Sequence, residues 1–169
     1  MIVLCNGDLH RFCKPFIADI ESIAFALAHI NRYTGHVGQY SVAQHCVMVS
    51  EQLPDELKLS GLLHDAPEAY IGDVSKPLKK LLPDYQRIEQ FYHSEIDQQF
   101  NVTTEHPAIK EADLRMLITE AEAFGLPLDE FPKAVPFDIE FELWSPEQAA
   151  LIFMLSFKSY SRSQKKHAG

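Results

Sequence analysis

The chain has 169 residues, 46% of them hydrophobic and 23% charged, the balance of a single ordinary globular domain. A formal net charge of −9 excludes the broadly basic surface that non-specific nucleic-acid binding requires, and no apolar run approaches the roughly 20 residues that cross a bilayer. Three cysteines (Cys5, Cys13, Cys46), without a C-x-x-C pair, read as free thiols and not as a disulfide framework or zinc–thiolate site.

Met1 to Asp8 lacks the basic start and apolar stretch of a signal peptide, so a cytoplasmic protein is expected. Residues 1–17 are mixed in character, carry Gly7 and Pro15, and read as an irregular arm. From Ala18 the pattern turns helical, with Ile20, Ala24, Leu27 and Asn31 at spacings of three and four, until the Gly35–Gly38 neighbourhood breaks it. Ser41-Val42-Ala43-Gln44 has the form of a capping box and opens a second helix whose apolar face is Val42, Cys46, Val49 and Leu53. A third helix is predicted from about Asp55 to Ala69, and a short fourth after Ser75. A fifth is predicted from about Asp84 to Phe100, and a sixth from about Thr104 to Phe124. Gly125 to Leu143, rich in Pro and Phe, is expected to be loop with some extended structure. Ser145-Pro146-Glu147-Gln148 then supplies a cap, a proline at the first helical position and a capping partner. This last helix is predicted to reach about Tyr160, with residues 161–169 a frayed basic tail. Nothing alternates at period two for long, so one all-α domain is predicted over 1–169.

The chemistry is carried by polar residues on apolar helix faces. His45 shares a face with Val42, Cys46 and Val49, and Asp113 with Ile109, Met116 and Leu117. His64-Asp65 follows the apolar pair Leu62-Leu63. A buried carboxylate costs several kcal/mol unless it is paired or bound to a cation. A divalent ion held by His45, His64, Asp65 and Asp113 would meet that need. Imidazole nitrogen suits zinc, iron, manganese, cobalt or nickel, and the carboxylates add hard oxygen ligands. Four protein ligands would leave positions open for water and a phosphate oxygen. Taken singly, a histidine on an apolar face is usually a core residue, and a His-Asp pair arises easily by chance. The combination H…HD…D on three separate helices is more informative.

These residues resemble the metal-binding pattern of the HD-domain phosphohydrolases. The stretch His64-Asp65-Ala66-Pro67-Glu68-Ala69-Tyr70-Ile71-Gly72-Asp73 is similar to the H-D-x-x-E-x-x-x-x-D segment of the 5′-deoxynucleotidases and of small phage dATP triphosphohydrolases. The resemblance implies a compact helical bundle of the HD type, in which Glu68 and Asp73 position or deprotonate the attacking water. Asn31-Arg32-Tyr33-Thr34-Gly35-His36, followed by Tyr40 to His45, is similar to the arm and ligand helix of the phage branch. That similarity gives Arg32 a phosphate contact and places Tyr33 near the base. The likeness extends over roughly Asn6 to Glu120.

Physical considerations point the same way. Phosphoryl transfer needs a cation on the non-bridging oxygens, a positioned water and positive charge for the remaining phosphates. Glu68 lies one helical turn past His64-Asp65, and Asp73 follows Gly72, where a loop residue can face back into the site. Arg32, Lys76 and Lys79 are candidate phosphate contacts, while Lys80 equally fits a solvated face. His29, His93, His106 and His167 read as surface or structural residues, and His36 lies near the site in sequence but outside the ligand pattern. Trp144 and the segment Phe131 to Phe153 read as core or subunit interface.

The expected reaction is hydrolysis at the α-phosphorus of a deoxynucleotide, with dATP cleaved to deoxyadenosine and triphosphate. A 5′-deoxynucleotidase acting on monophosphates is the alternative enzyme. A nucleotide-sensing module without turnover and a di-iron oxygenase of the HD type are the other classes. Relatives of this kind assemble as dimers or hexamers, so the resemblance also implies a homo-oligomer.

Overall fold

Side-chain caps mark where the chain turns helical. In the computed structural model, which describes residues 1–167, with side chains through 164, Asp19 accepts from Ser22 N at the start of α1 (Ile20–His29). Ser41 accepts from Gln44 N at the start of α2 (Val42–Glu51). The reciprocal half of that capping box is not made. The Gln44 amide instead donates to the Glu142 carbonyl at 2.7 Å and accepts from Trp144 N at 3.0 Å, tying the long loop before the last helix to α2. At Ser145 the box closes both ways, at 2.9 and 3.2 Å, and α8 (Pro146–His167) begins there. The other helices are α3 (Asp55–Leu62), α4 (Glu68–Ile71), α5 (Lys76–Lys79), α6 (Pro83–Phe100) and α7 (Pro107–Ala123).

The all-α expectation holds, with one addition in the N-terminal arm. There β1 (Ile2–Val3) and β2 (Leu9–His10) form a small antiparallel hairpin, Ile2 opposite His10. Three element boundaries differ from those predicted. The helix expected over Asp55–Ala69 stops at Leu62, because Pro67 has no N–H to return to the Leu63 carbonyl. That carbonyl takes Ala66 N instead, Glu68 N bonds to Asp65 O, and His64-Asp65 therefore sit in a turn between α3 and α4. The sixth helix begins at Pro107, three residues later than expected, with the His106 side chain capping Ala108 N. The last helix does not fray at Tyr160. It continues to His167, where Gln164 Nε2 donates to the Asn101 carbonyl at 2.8 Å and docks the added turns on the end of α6. The segment 125–143 forms the 3-10 turn Leu128–Glu130 and otherwise irregular chain, with no strand among the described residues.

Two apolar clusters meet at α2. The larger contains Ile23, Leu27, Leu62, Tyr92, Ile96 and Phe153 and is packed by α1, α3, α6 and α8. The second joins Tyr40, Met48, Val49, Ile109 and Met116, with Phe137, Ile139 and Phe141 laid over it. Burial on that scale stabilises each large side chain by roughly 1.5–3 kcal/mol. Enclosed between them, every α2 residue from Val42 to Ser50 is buried, so a polar side chain on this helix has no route to bulk water. Phe153 is buried in the larger cluster and Trp144 packs against it, while other positions of the Phe131–Phe153 segment, such as Val135, Leu143 and Leu151, are exposed. The α2–α3 approach is close at Gly61, where a Cβ would fall 2.2 Å from Leu53 Cδ1. Cys5, Cys13 and Cys46 are free thiols, and no helix among the described residues is long and apolar enough to cross a membrane.

Candidate metal centre

His45, on the fully enclosed α2, and His64 and Asp65, in the turn that Pro67 forces, form a group that can hold a metal ion. One ligand atom from each lies within 4.8 Å of the others. Asp65 Oδ2 is 3.3 Å from His64 Nε2 and 3.7 Å from His45 Nε2, and the two imidazole centroids are 5.3 Å apart. Both Nε2 atoms are buried and have no hydrogen-bond partner among the described residues. Each ring is oriented from its far side. His64 Nδ1 donates to the Gly61 carbonyl at 2.7 Å, and His45 Nδ1 donates to Glu120 Oε1 at 2.5 Å. With Nδ1 carrying the proton, a neutral imidazole presents its lone pair at Nε2, the atom turned to Asp65.

Asp113, on α7, adjoins this group through His45. Its Oδ1 lies 3.2 Å from His45 Nε2, an ion-pair distance without hydrogen-bond geometry, while its Oδ2 accepts from Lys76 Nζ at 3.0 Å. Asp113 is thus brought to the centre but outside the three-residue group that meets within 4.8 Å.

The carboxyl groups respond to this crowding in opposite directions. Burial pushes the Asp113 carboxyl up, but His45, His64 and Lys76 outweigh it and hold the group well below the usual range. Asp65 is lowered for the same reason, His64 and His45 overcoming burial and the charge of Asp113. Glu68 goes the other way. Burial, then the negative fields of Asp65 and Asp73, push it well above the ordinary value, and its Oε2 is buried without a hydrogen-bond partner. Asp73 is raised by burial first, and the charges acting on it are those of Arg32, Asp65, Lys79 and His45.

Of the candidate substrate residues, Lys79 pairs with Glu89 and lies 3.8 Å from Glu68 Oε1. Lys76 is largely exposed and occupied with Asp113. Arg32 and Tyr33 lie in a 3-10 turn, Arg32–Gly35, whose Tyr33 and Thr34 adopt left-handed backbone angles (φ 55° and 53°). Left-handed conformations cost non-glycine residues about 1–2 kcal/mol each. The Arg32 Nε and Nη2 groups and the Tyr33 hydroxyl are all given to Glu120 Oε2, at 3.1, 3.0 and 3.0 Å, while Arg32 Nη1 lies 4.0 Å from Asp65 Oδ2.

Glu120 is the residue at this candidate site that the sequence pattern did not single out. It stands on the α7 face that also carries Asp113, two helical turns on, and is completely buried. The sequence signal was a second acidic residue, seven positions after Asp113, on the apolar stripe of α7. The remaining histidines have structural or surface places. His29 donates to the Phe25 carbonyl, His93 hydrogen-bonds with Thr104, His106 caps α7, and His36 is exposed. The side chain of His167 lies outside the described residues. His10, not singled out by the sequence pattern, is buried against Tyr92 at 2.6 Å.

No family model matches the chain. It is 43% identical over 109 residues to the uncharacterized protein YfdR of Escherichia coli K12, a match covering 63% of this chain and 61% of that protein. It is 29% identical over 126 residues to an uncharacterized protein of Rhodobacter capsulatus, covering 68% of this chain and 62% of the relative. The chain thus spans less than two thirds of the length of either relative, and neither relative's name states an activity.

Proposed function

We propose that this chain is a metal-dependent phosphohydrolase of the HD-domain type, acting at the α-phosphorus of deoxynucleotides and cleaving dATP to deoxyadenosine and triphosphate. The observation that carries the reading is the pair of buried, unpartnered Nε2 atoms of His45 and His64, both set against the Asp65 carboxylate. Two buried imidazole nitrogens without hydrogen-bond partners are costly unless a ligand completes them.

In this reading His45, His64 and Asp65 hold a divalent transition ion (zinc, cobalt, manganese, iron or nickel), and Asp113 joins them as the fourth ligand. The ion supplies Lewis acidity, polarising a phosphoryl oxygen and lowering the pKa of water at the site. Glu68 Oε2 accepts the proton of the attacking water, and Asp73 helps to orient that water. Burial and the charges of Asp65 and Asp73 raise the affinity of the Glu68 carboxylate for a proton. Arg32 Nη1, Lys76 and Lys79 meet the phosphate oxygens, and Tyr33 lies towards the base. The protein is cytoplasmic and assembles as a homo-oligomer.

The test is a panel of deoxy- and ribonucleoside mono- and triphosphates supplied with each metal in turn, assayed for phosphate, pyrophosphate and triphosphate. Triphosphate release from dATP is expected. Inorganic phosphate from monophosphates alone would replace this reading with a 5′-deoxynucleotidase, and equal cleavage of ribonucleotides would remove both. Glu68→Ala is expected to keep metal and nucleotide affinity while losing at least ~100-fold in rate. Binding without turnover in the wild type would make the protein a nucleotide sensor.

A further inference from the structure

Glu120 is a fully buried carboxylate that receives five hydrogen bonds. His45 Nδ1 and the Tyr40 hydroxyl (2.7 Å) donate to Oε1, and Arg32 Nε, Arg32 Nη2 and the Tyr33 hydroxyl donate to Oε2. An ionised carboxylate has about four lone-pair sites, so this one is saturated with donors. We infer that Glu120 is a positioning residue that sets the tautomer and angle of the His45 ring for metal binding and couples that ring to the Arg32–Tyr33 turn. The inference rests on the metal-centre reading above.

The chemistry follows from what each atom can do. An ionised carboxylate only accepts, so Glu120 requires a proton on His45 Nδ1 and leaves Nε2 as the ligand atom. His64 is oriented differently, by the Gly61 carbonyl, which the helix backbone holds in place. The support for His45 is a side chain, and three of its five donors come from the strained turn. The same turn is pinned to the start of α2 through Arg32 N to the Tyr40 carbonyl at 2.8 Å. Tyr40 then closes the circuit with its hydroxyl on Glu120. A movement of Arg32 or Tyr33 towards a ligand therefore alters the hold on His45, whereas the support of His64 by the Gly61 carbonyl is independent of that turn.

The test uses the full chain and Co²⁺ as both titrant and spectroscopic probe. Glu120→Gln keeps the side-chain shape but replaces one acceptor oxygen with a donor. It is expected to weaken Co²⁺ binding by about 10–100-fold and to change the visible absorption of the bound ion. Tyr40→Phe, which removes one donor to Glu120 without touching His45, is expected to give a smaller loss in the same direction. Tyr92→Phe, which breaks the His10 contact in the other cluster, serves as the control for general destabilisation and should leave affinity and spectrum unchanged. A folded Glu120→Gln with wild-type Co²⁺ affinity and spectrum overturns the inference. Should that variant not fold, unchanged affinity in Tyr40→Phe overturns it. A wild type that binds no Co²⁺ overturns the metal-centre reading and this inference together. A wild type that binds Co²⁺ but hydrolyses no nucleotide removes only the proposed reaction.

Discussion

Lys76 and Asp113, 37 positions apart, form an ion pair at 3.0 Å whose carboxylate also lies 3.2 Å from the buried Nε2 of His45. One oxygen of Asp113 is therefore held by a surface lysine while the other faces the candidate metal centre. The lysine is mostly exposed, so the pair itself contributes little, of the order of 0–1 kcal/mol.

Lys76→Ala is accordingly expected to change thermal stability only slightly. Freed from the lysine, Asp113 can turn both oxygens towards the centre, so metal affinity should hold or rise while KM for nucleotide rises. Calorimetry, a metal titration and steady-state kinetics on one preparation read all three. A marked fall in metal affinity would show that Lys76 helps to place Asp113.

Asp65→Ala removes the carboxylate shared by both imidazoles and should eliminate stoichiometric metal. Elemental analysis of the purified variant checks this, and undiminished metal would place the ion elsewhere. His64→Ala should behave alike, because its Nε2 is one of the two unpartnered lone pairs.

Arg32→Ala leaves the Glu120 charge completely buried without its guanidinium partner. Breaking a buried ion pair from one side costs about 3–5 kcal/mol. Urea denaturation of the metal-free variant should show a loss of that size, in addition to a raised KM. A variant as stable as wild type would mean that water or another donor replaces the guanidinium.

Acidity should act on the same group from two directions. Burial and Arg32 push the His45 imidazole down, but Glu120 and Asp113 outweigh them and hold it at about 9, against an ordinary 6.5. The protonated ring thus stabilises the metal-free fold fully below pH 6.5, and that contribution is lost as pH rises through about 9. Burial pushes Glu120 up, yet Arg32 and His45 bring it down to about 2, so its contribution is present above its ordinary 4.5 and lost as pH falls towards 2. A bound ion must displace the His45 proton, so metal affinity is expected to climb with pH until about 9. Metal titrations at a series of pH values check the sign, and affinity that falls across pH 6–8 contradicts it.

Much of the frame was legible in the residues alone. Period-three-and-four apolar spacing, the Ser41 and Ser145 caps, and Pro146 mark α2 and α8 without reference to any neighbour, because they depend on local backbone chemistry. His45, His64, Asp65 and Asp113 stood out because polar side chains on apolar faces need partners. The turn at His64-Asp65 was also local, since Pro67 has no N–H for the Leu63 carbonyl, but the apolar spacing from Asp55 to Ala69 masked it. Tertiary structure alone decided the rest. It determined that Arg32 and Tyr33 are engaged by Glu120, 88 and 87 positions away, a contact created by packing α7 beside α2. Local sequence carries helix starts and apolar stripes. Which buried donor reaches which buried acceptor depends on how the stripes are brought together.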